Sequence, residues 1–196
     1  VKTVAINSLI NPQIIYNEVY NETDPVIVIE NKSDYGKFIG KYKVDNYIFM
    51  VNNDTYPTVK ISPMNSNPNL TIVTYGGMVD EVVNSLSSLF YDYDFKTEVL
   101  VLSKISPIDY SDIIESVKIT RKLVVIEEGS SIGGVASEIV SSVLSQISFH
   151  IDCLKIGALP VPIPSVKSLE NEVLPNKNII INAIKNLWNE NITRNK

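Results

Sequence analysis

Two strand-to-helix junctions hold the residues of this chain whose types and spacing could do chemistry. The first is Glu127-Glu128-Gly129, with Gly133-Gly134 following it. Doubly wound folds build sites at the ends of strands, and glycines there let backbone approach a ligand or a neighbour closely. Two readings are open. A carboxylate of this pair accepts hydrogen bonds at a domain or subunit interface, or the pair is strand-end charge before a flexible turn. A phosphate cradle at Gly133-Gly134 is conceivable, but the spacing follows neither the dinucleotide fingerprint nor the Walker pattern. The second junction is Tyr75-Gly76-Gly77-Met78-Val79, with Asp80 and Glu81 next. Carboxylates in a first helical turn stabilise its positive end, and they make the same turn a poor seat for an anion.

The nucleophiles and metal ligands are few. The chain has one histidine, His150, and one cysteine, Cys153. A disulfide framework and a zinc site of several Cys and His ligands are therefore excluded, and no Ser-His-Asp or Cys-His constellation can be assembled. His150 reads as a packed or capping side chain and Cys153 as core volume in an apolar strand. The carboxylate pairs Asp92 with Asp94 and Glu170 with Glu172 read as solvated surface.

The chain has 196 residues, 44% apolar and 20% charged, with a net charge of −5. Its basic residues, such as Lys43, Lys60, Lys118 and Arg121, are scattered. Nucleic-acid backbone binding needs them gathered on one surface, so no nucleic-acid partner is expected. No apolar run reaches the length of a membrane span and no secretory pattern opens the sequence, which predicts a soluble chain without a membrane partner. Its expected location is cytoplasmic, or an organelle matrix if a transit segment precedes it.

Periodicity supplies the elements that must position these residues. A helix over 10–20 and a buried strand at 26–29 come first, then a stretch over 31–69 rich in Asn, Asp, Lys and Tyr and broken by Pro57, Pro63 and Pro68. It reads as an interdomain linker with short candidate strands at 47–51 and 58–61. From residue 70 strands and helices alternate: strand 70–75, helix 78–90, strand 98–102, a helix capped near Asp109, and strand 122–127. The next helix has the stripe Val135, Ile139, Val140, Val143, Leu144 and Ile147, and is followed by strand 151–156. Pro160, Pro162 and Pro164 then forbid a regular helix, and a last helix over 178–189 carries Trp188 at its edge. Short loops between strand and helix imply parallel pairing with right-handed crossovers, and strands apolar on both faces imply helices on both sides.

Taken in order, these motifs resemble the beta subunit of the thiamine-diphosphate-dependent 2-oxo acid dehydrogenase E1 component, of the pyruvate and branched-chain type. The resemblance is carried by Asp24-Pro25-Val26 with Glu30 and Tyr35, by Leu70 to Val79, and by Ser106-Pro107-Ile108-Asp109. Val124 to Gly129 with Gly133-Gly134, then Pro162-Ile163-Pro164, Leu169-Glu170 and Leu174-Pro175-Asn176, complete it. It implies an α/β fold, a three-layer sandwich on a mostly parallel sheet like the transketolase C-terminal domain, at 70–190. Residues 1–30 are then a remnant of the pyrimidine-binding domain, and 31–69 the linker between the two.

In that family the cofactor-activating glutamate and the active-site histidine lie upstream of the matched portion, and neither Glu30 nor His150 matches them. The resemblance thus implies no catalytic, cofactor-binding or metal residue in this chain, with thiamine diphosphate and magnesium belonging to the full enzyme. It implies an assembly role in oxidative decarboxylation by the complex, with an E1 alpha-like subunit, a second copy, or a dihydrolipoamide acyltransferase core as partner. The expected interface residues are Glu127, Glu128, Gly133 and Gly134 in a loop facing a neighbouring subunit, and Pro162, Pro164 and Glu170 on an assembly-facing surface. The alternatives are a stand-alone interaction module and the partner half of a split transketolase-class enzyme.

Overall fold

The structure is a computed structural model that describes residues 1–36 and 42–194, with side chains up to residue 187. Trp188, expected at the edge of the last helix, lies outside the described side chains.

The chain opens with β1 (Lys2–Ala5), α1 (Pro12–Asn21) and β2 (Val26–Ile29). Strands β1 and β2 pair in parallel, joined by α1 as a β-α-β unit. Asn11 starts α1, its side chain accepting from the Gln13 amide, and Pro12 occupies the first helical position where a missing N–H costs nothing. Val4, Ile15 and Tyr56 form a small core beneath this unit.

A hairpin follows, β3 (Tyr47–Val51) and β4 (Val59–Pro63), so the two candidate strands of the Asn-rich stretch do form. Then come β5 (Leu70–Tyr75), α2 (Met78–Tyr93), β6 (Thr97–Leu102), the short β7 (Lys104–Ser106), and α3 (Ser111–Thr120). Asp109 accepts from the Ser111 amide at 2.9 Å at the start of α3, one residue ahead of the helix's N-cap. The chain ends with β8 (Lys122–Ser130), α4 (Val135–Gln146), β9 (Asp152–Ala158), α5 (Lys167–Val173) and α6 (Lys177–Arg194).

The main sheet has six strands in the order β3-β4-β6-β5-β8-β9. Its β6, β5, β8 and β9 are mutually parallel, and the hairpin adds antiparallel to β6. Alternation along each strand divides the core in two. Ile72, Val99, Val124 and Ile126 face α2 and α6, where Val79, Val82, Leu86, Ile180 and Ile184 are buried. Val73, Leu100, Leu123 and Val125 face α3 and α4, against Ile113, Val117, Ile139 and Val143. This is the three-layer α/β arrangement expected. The stripe foreseen for α4 is narrower than expected: Leu144 is exposed, because one helix on one sheet face buries only the residues pointing at that face.

The N-terminal unit joins through β7, which pairs antiparallel with β1 in a second sheet of order β2-β1-β7. The Ala5 amide donates to the Ser103 carbonyl, and Ala5 is packed in the α3/α4 core. This docking brings the end of β2 beside the ends of β5 and β8.

Candidate functional site

Neighbouring strands β5 and β8 send their chains to opposite faces of the sheet, β5 into α2 and β8 into α4. The crevice outside their ends is therefore the topological switch point, where open α/β sheets bind ligands. Both junctions singled out from sequence lie there.

Glu127 closes that crevice from within. It is 2% exposed. Its carboxylate accepts from the Val135 amide at 3.0 Å and the Ala136 amide at 3.0 Å, the first two N–H groups of α4. The Tyr75 hydroxyl adds a third bond at 2.9 Å. Burial, the nearby Glu127 charge and this hydrogen bond, in that order, push the Tyr75 phenol well above its ordinary range, so it remains a donor. The chain's own carboxylate thus occupies the place that a phosphate takes in folds that bind one at a helix N-terminus.

Gly133 and Gly134 make this possible. Gly133 has φ +72°, a conformation glycine adopts without penalty, and it turns the chain into α4. A Cβ on Gly134 would lie 2.1 Å from Glu127 Oε1 and 2.7 Å from the Ser130 carbonyl oxygen, so only glycine leaves room for the carboxylate.

The second junction is closed in the same manner. Asp80 accepts from Ser8 Oγ at 2.6 Å and from the Tyr42 hydroxyl. Glu81 accepts from the Lys177 amide at 2.7 Å, tying the start of α6 to the start of α2. Both carboxylates of the α2 first turn fasten elements of this chain together.

Glu128 is exposed at the crevice mouth, where Asn31 Nδ2 donates to it over a long 3.4 Å. Its half-enclosed position, then the Asp34 and Glu170 carboxylates, raise its carboxyl above the ordinary range, with Lys167 opposing them. It borders a cavity of about 620 Å³ shared with Ile29, Glu30, Asn31, Tyr75 and Ile163. Glu30 is bridged by the hydroxyls of Tyr16 and Tyr35. These two hydrogen bonds hold its carboxyl below the usual range.

Of the residues expected at an interface, the structure gathers Glu128, Pro162 and Glu170 around the crevice and its flanking grooves. Pro164 is half-buried in the same strap, Gly133 and Gly134 shape the turn, and Glu127 is turned inward, so of the two glutamates only Glu128 can meet a neighbour. Glu170 is paired with Lys167 Nζ at 2.7 Å. Asn31, Ile132, Leu159 and Val161 were not foreseen, while Ile163 lies within the expected Pro162-Ile163-Pro164 stretch. The alternation of Leu159, Val161 and Ile163 with prolines was the available signal, because prolines bar a regular helix or central strand and leave the aliphatic side chains between them at the surface. His150 is exposed near Asp152, at 3.4 Å, and Cys153 lies half-buried in β9.

A thiamine diphosphate does not fit these residues. The α4 amides are taken by Glu127, the start of α2 carries Asp80 and Glu81, and Glu128 and Glu170 make the remaining rim acidic. Among the described residues no three His, Cys, Asp or Glu side chains converge to hold a metal ion. Nor is any helix of the described residues long and apolar enough to cross a membrane.

Residues 60–180 match the family model of the transketolase C-terminal domain. The chain is 31% identical over 166 residues to the pyruvate dehydrogenase E1 component subunit beta of Rickettsia bellii, covering 84% of this chain and 48% of that protein. With the subunit of the same name from Porphyra purpurea it shares 25% identity over 194 residues, 98% of this chain and 56% of that protein. The chain thus spans about half the length of these curated relatives. A solved split-gene transketolase, an inactive beta4 tetramer, superimposes with a TM-score of 0.69 at 19% identity, over 95% of this chain and 57% of that one, which supports the fold.

Proposed function

Since the chain belongs to the transketolase C-terminal domain family, we propose that it serves as the C-terminal portion of an E1 beta-like subunit. It supports assembly of a thiamine-diphosphate-dependent 2-oxo acid dehydrogenase and leaves the chemistry to residues outside this chain. The observation that carries this reading is the closed switch point: the position where the fold would hold an anionic cofactor is filled by Glu127. What the crevice offers outward is an apolar and acidic surface suited to protein contact.

The domain division is part of this proposal. Residues 1–30 are the end of a preceding pyrimidine-binding domain, 31–69 lead across, and 70–190 form the C-terminal domain. A lone β-α-β unit covered by α1 on one side leaves Ile27 and Ile29 exposed on the other, and parallel strands are ordinarily covered on both. The partners proposed are an E1 alpha-like subunit and a second copy of the beta-like subunit, with an acyltransferase core beyond them.

Calorimetric titration of the chain with thiamine diphosphate and magnesium tests the reading. The expected result is no saturable heat, together with no decarboxylation of pyruvate or branched-chain 2-oxo acids. Stoichiometric tight binding would overturn it.

A further inference from the structure

Four large aliphatic side chains stand exposed on one groove: Ile132 at 70%, Ile163 at 57%, Leu159 at 53% and Val161 at 51%. A contiguous apolar patch of this kind marks an interaction surface more often than isolated exposed residues do. The groove, about 540 Å³, runs between the turn after β8 and the proline strap after β9. Its walls are held in place. The Ser131 amide donates to the Ala158 carbonyl and the Leu159 amide to the Val173 carbonyl. Pro160, Pro162 and Pro164 restrict the strap further, so little order is lost on docking.

One end of the groove is charged. Glu128, Gly129 and Ile163 border both this groove and the crevice cavity, making the two continuous. Lys167 is engaged with Glu170 at 2.7 Å, while Glu128 has only the long bond from Asn31 among the described residues. A cation arriving at Glu128 meets a carboxylate whose charge its neighbours disfavour. A two-fold pairing of this patch with a second copy brings a second Glu128 and no cation, since neither lysine nor arginine lines the groove. Arg121 of such a copy is already stacked on Phe149 at 3.7 Å.

We propose that this groove docks a segment of a different polypeptide that carries an arginine or lysine between aliphatic residues. The aliphatic groups seat on Ile132, Leu159, Val161 and Ile163, and the cation reaches Glu128. The proposal deepens the assembly reading above, on which it rests, by naming the chemistry of the partner.

Blocked peptides with a Leu-Arg-Leu centre and a Leu-Glu-Leu centre, titrated into the isotopically labelled chain and followed by NMR, provide the test. The Leu-Arg-Leu peptide should shift amides of residues 128–134 and 158–163, and the Leu-Glu-Leu peptide should not. Glu128→Gln and Ile163→Ser should each weaken the arginine peptide roughly tenfold, the loss of one ion pair or one seated side chain. Both positions are exposed, and thermal unfolding checks that both variants remain folded.

Equal binding of the two peptides, wild-type affinity in Glu128→Gln, or shifts mapping elsewhere would each overturn the proposal. So would concentration-dependent dimerisation abolished by Ile163→Ser, which makes a second copy the occupant. An E1 alpha-like subunit that associates equally with wild type and both variants removes the groove assignment and leaves the assembly reading standing. Peptide binding as expected, with no association of that subunit, does the reverse.

Discussion

Glu127→Ala takes away the carboxylate that fills the switch point in lieu of a ligand. Three donors lose their acceptor: the Val135 and Ala136 amides and the Tyr75 hydroxyl. Hydrogen bonds to a charged acceptor contribute about 1.5–3 kcal/mol each and do not simply add. The α4 N-terminus also loses its compensating charge, about 0.3–1 kcal/mol. Against these stands the desolvation penalty that the buried carboxylate no longer suffers, which brings the net loss to about 3–4 kcal/mol. For a chain of this length that is a fall in Tm of roughly 6–16 °C. Glu127→Gln should lose about 2 kcal/mol, because an amide oxygen keeps one N–H while its own NH₂ faces the remaining donors. Tyr75→Phe should lose about 1 kcal/mol. Chemical unfolding monitored by circular dichroism gives the order, and hydrogen exchange at Val135 and Ala136 locates the effect. Sulfate should raise the Tm of Glu127→Ala more than that of wild type, since the freed helix end then accepts an external anion. A Glu127→Ala stability within about 0.5 kcal/mol of wild type, with exchange at both amides unchanged, would mean that Glu127 does not hold the start of α4.

The remaining predictions concern the same surface. Gly134→Ala should cost about 1–3 kcal/mol by overpacking against Glu127, and the penalty should shrink in a Glu127→Ala background, measured by a double-mutant unfolding cycle. Gly157→Ala should cost a similar amount, about 1–3 kcal/mol, because its Cβ meets the Gly129 carbonyl oxygen at 2.8 Å and the Ser131 nitrogen at 2.9 Å; unfolding near the wild-type midpoint would contradict this. The Glu128 carboxyl titrates higher in the folded state than in the unfolded one, so wild type loses stability as pH rises through those two values. Glu128→Gln lacks that loss and should match wild type near about pH 3 and exceed it near about pH 7, in unfolding curves collected across that range.

The central strands were legible because burial on both faces leaves long apolar runs. Leu70–Tyr75 forms as expected, Thr97–Leu102 begins one residue before the expected strand, and Lys122–Ser130 runs past its expected end at Glu127. β1 and β7 were missed, since Lys2–Ala5 and Lys104–Ser106 are strands only through their partners and carry no periodicity of their own. α5 was missed as well, because Lys167–Val173 is short and buries only Val173.

At the site, the two strand-to-helix junctions were recognisable as positions, but the division of labour between Glu127 and Glu128 depends on parity. Val125 and Glu127 point to the α4 side of β8, as Val73 and Tyr75 do on β5, so Tyr75 and Glu127 meet under the α4 N-terminus while Glu128 is left at the mouth. That inference was available from period-two alternation. The contact of Asn31 with Glu128, across 97 positions of sequence, was not, because it arises from docking the N-terminal unit through β7.

Reconstitution shows whether this chain completes an enzyme whose chemistry lies elsewhere. An E1 alpha-like subunit and the pyrimidine-binding half of the beta subunit from the same source are mixed with and without this chain, and thiamine-diphosphate-dependent decarboxylation of a 2-oxo acid is measured beside sedimentation of the mixture. Activity and a larger complex should appear together and only when the chain is present, while the chain alone stays inactive. Activity of the chain by itself, or a fully active complex that excludes it, would rule out a purely supporting role for the chain.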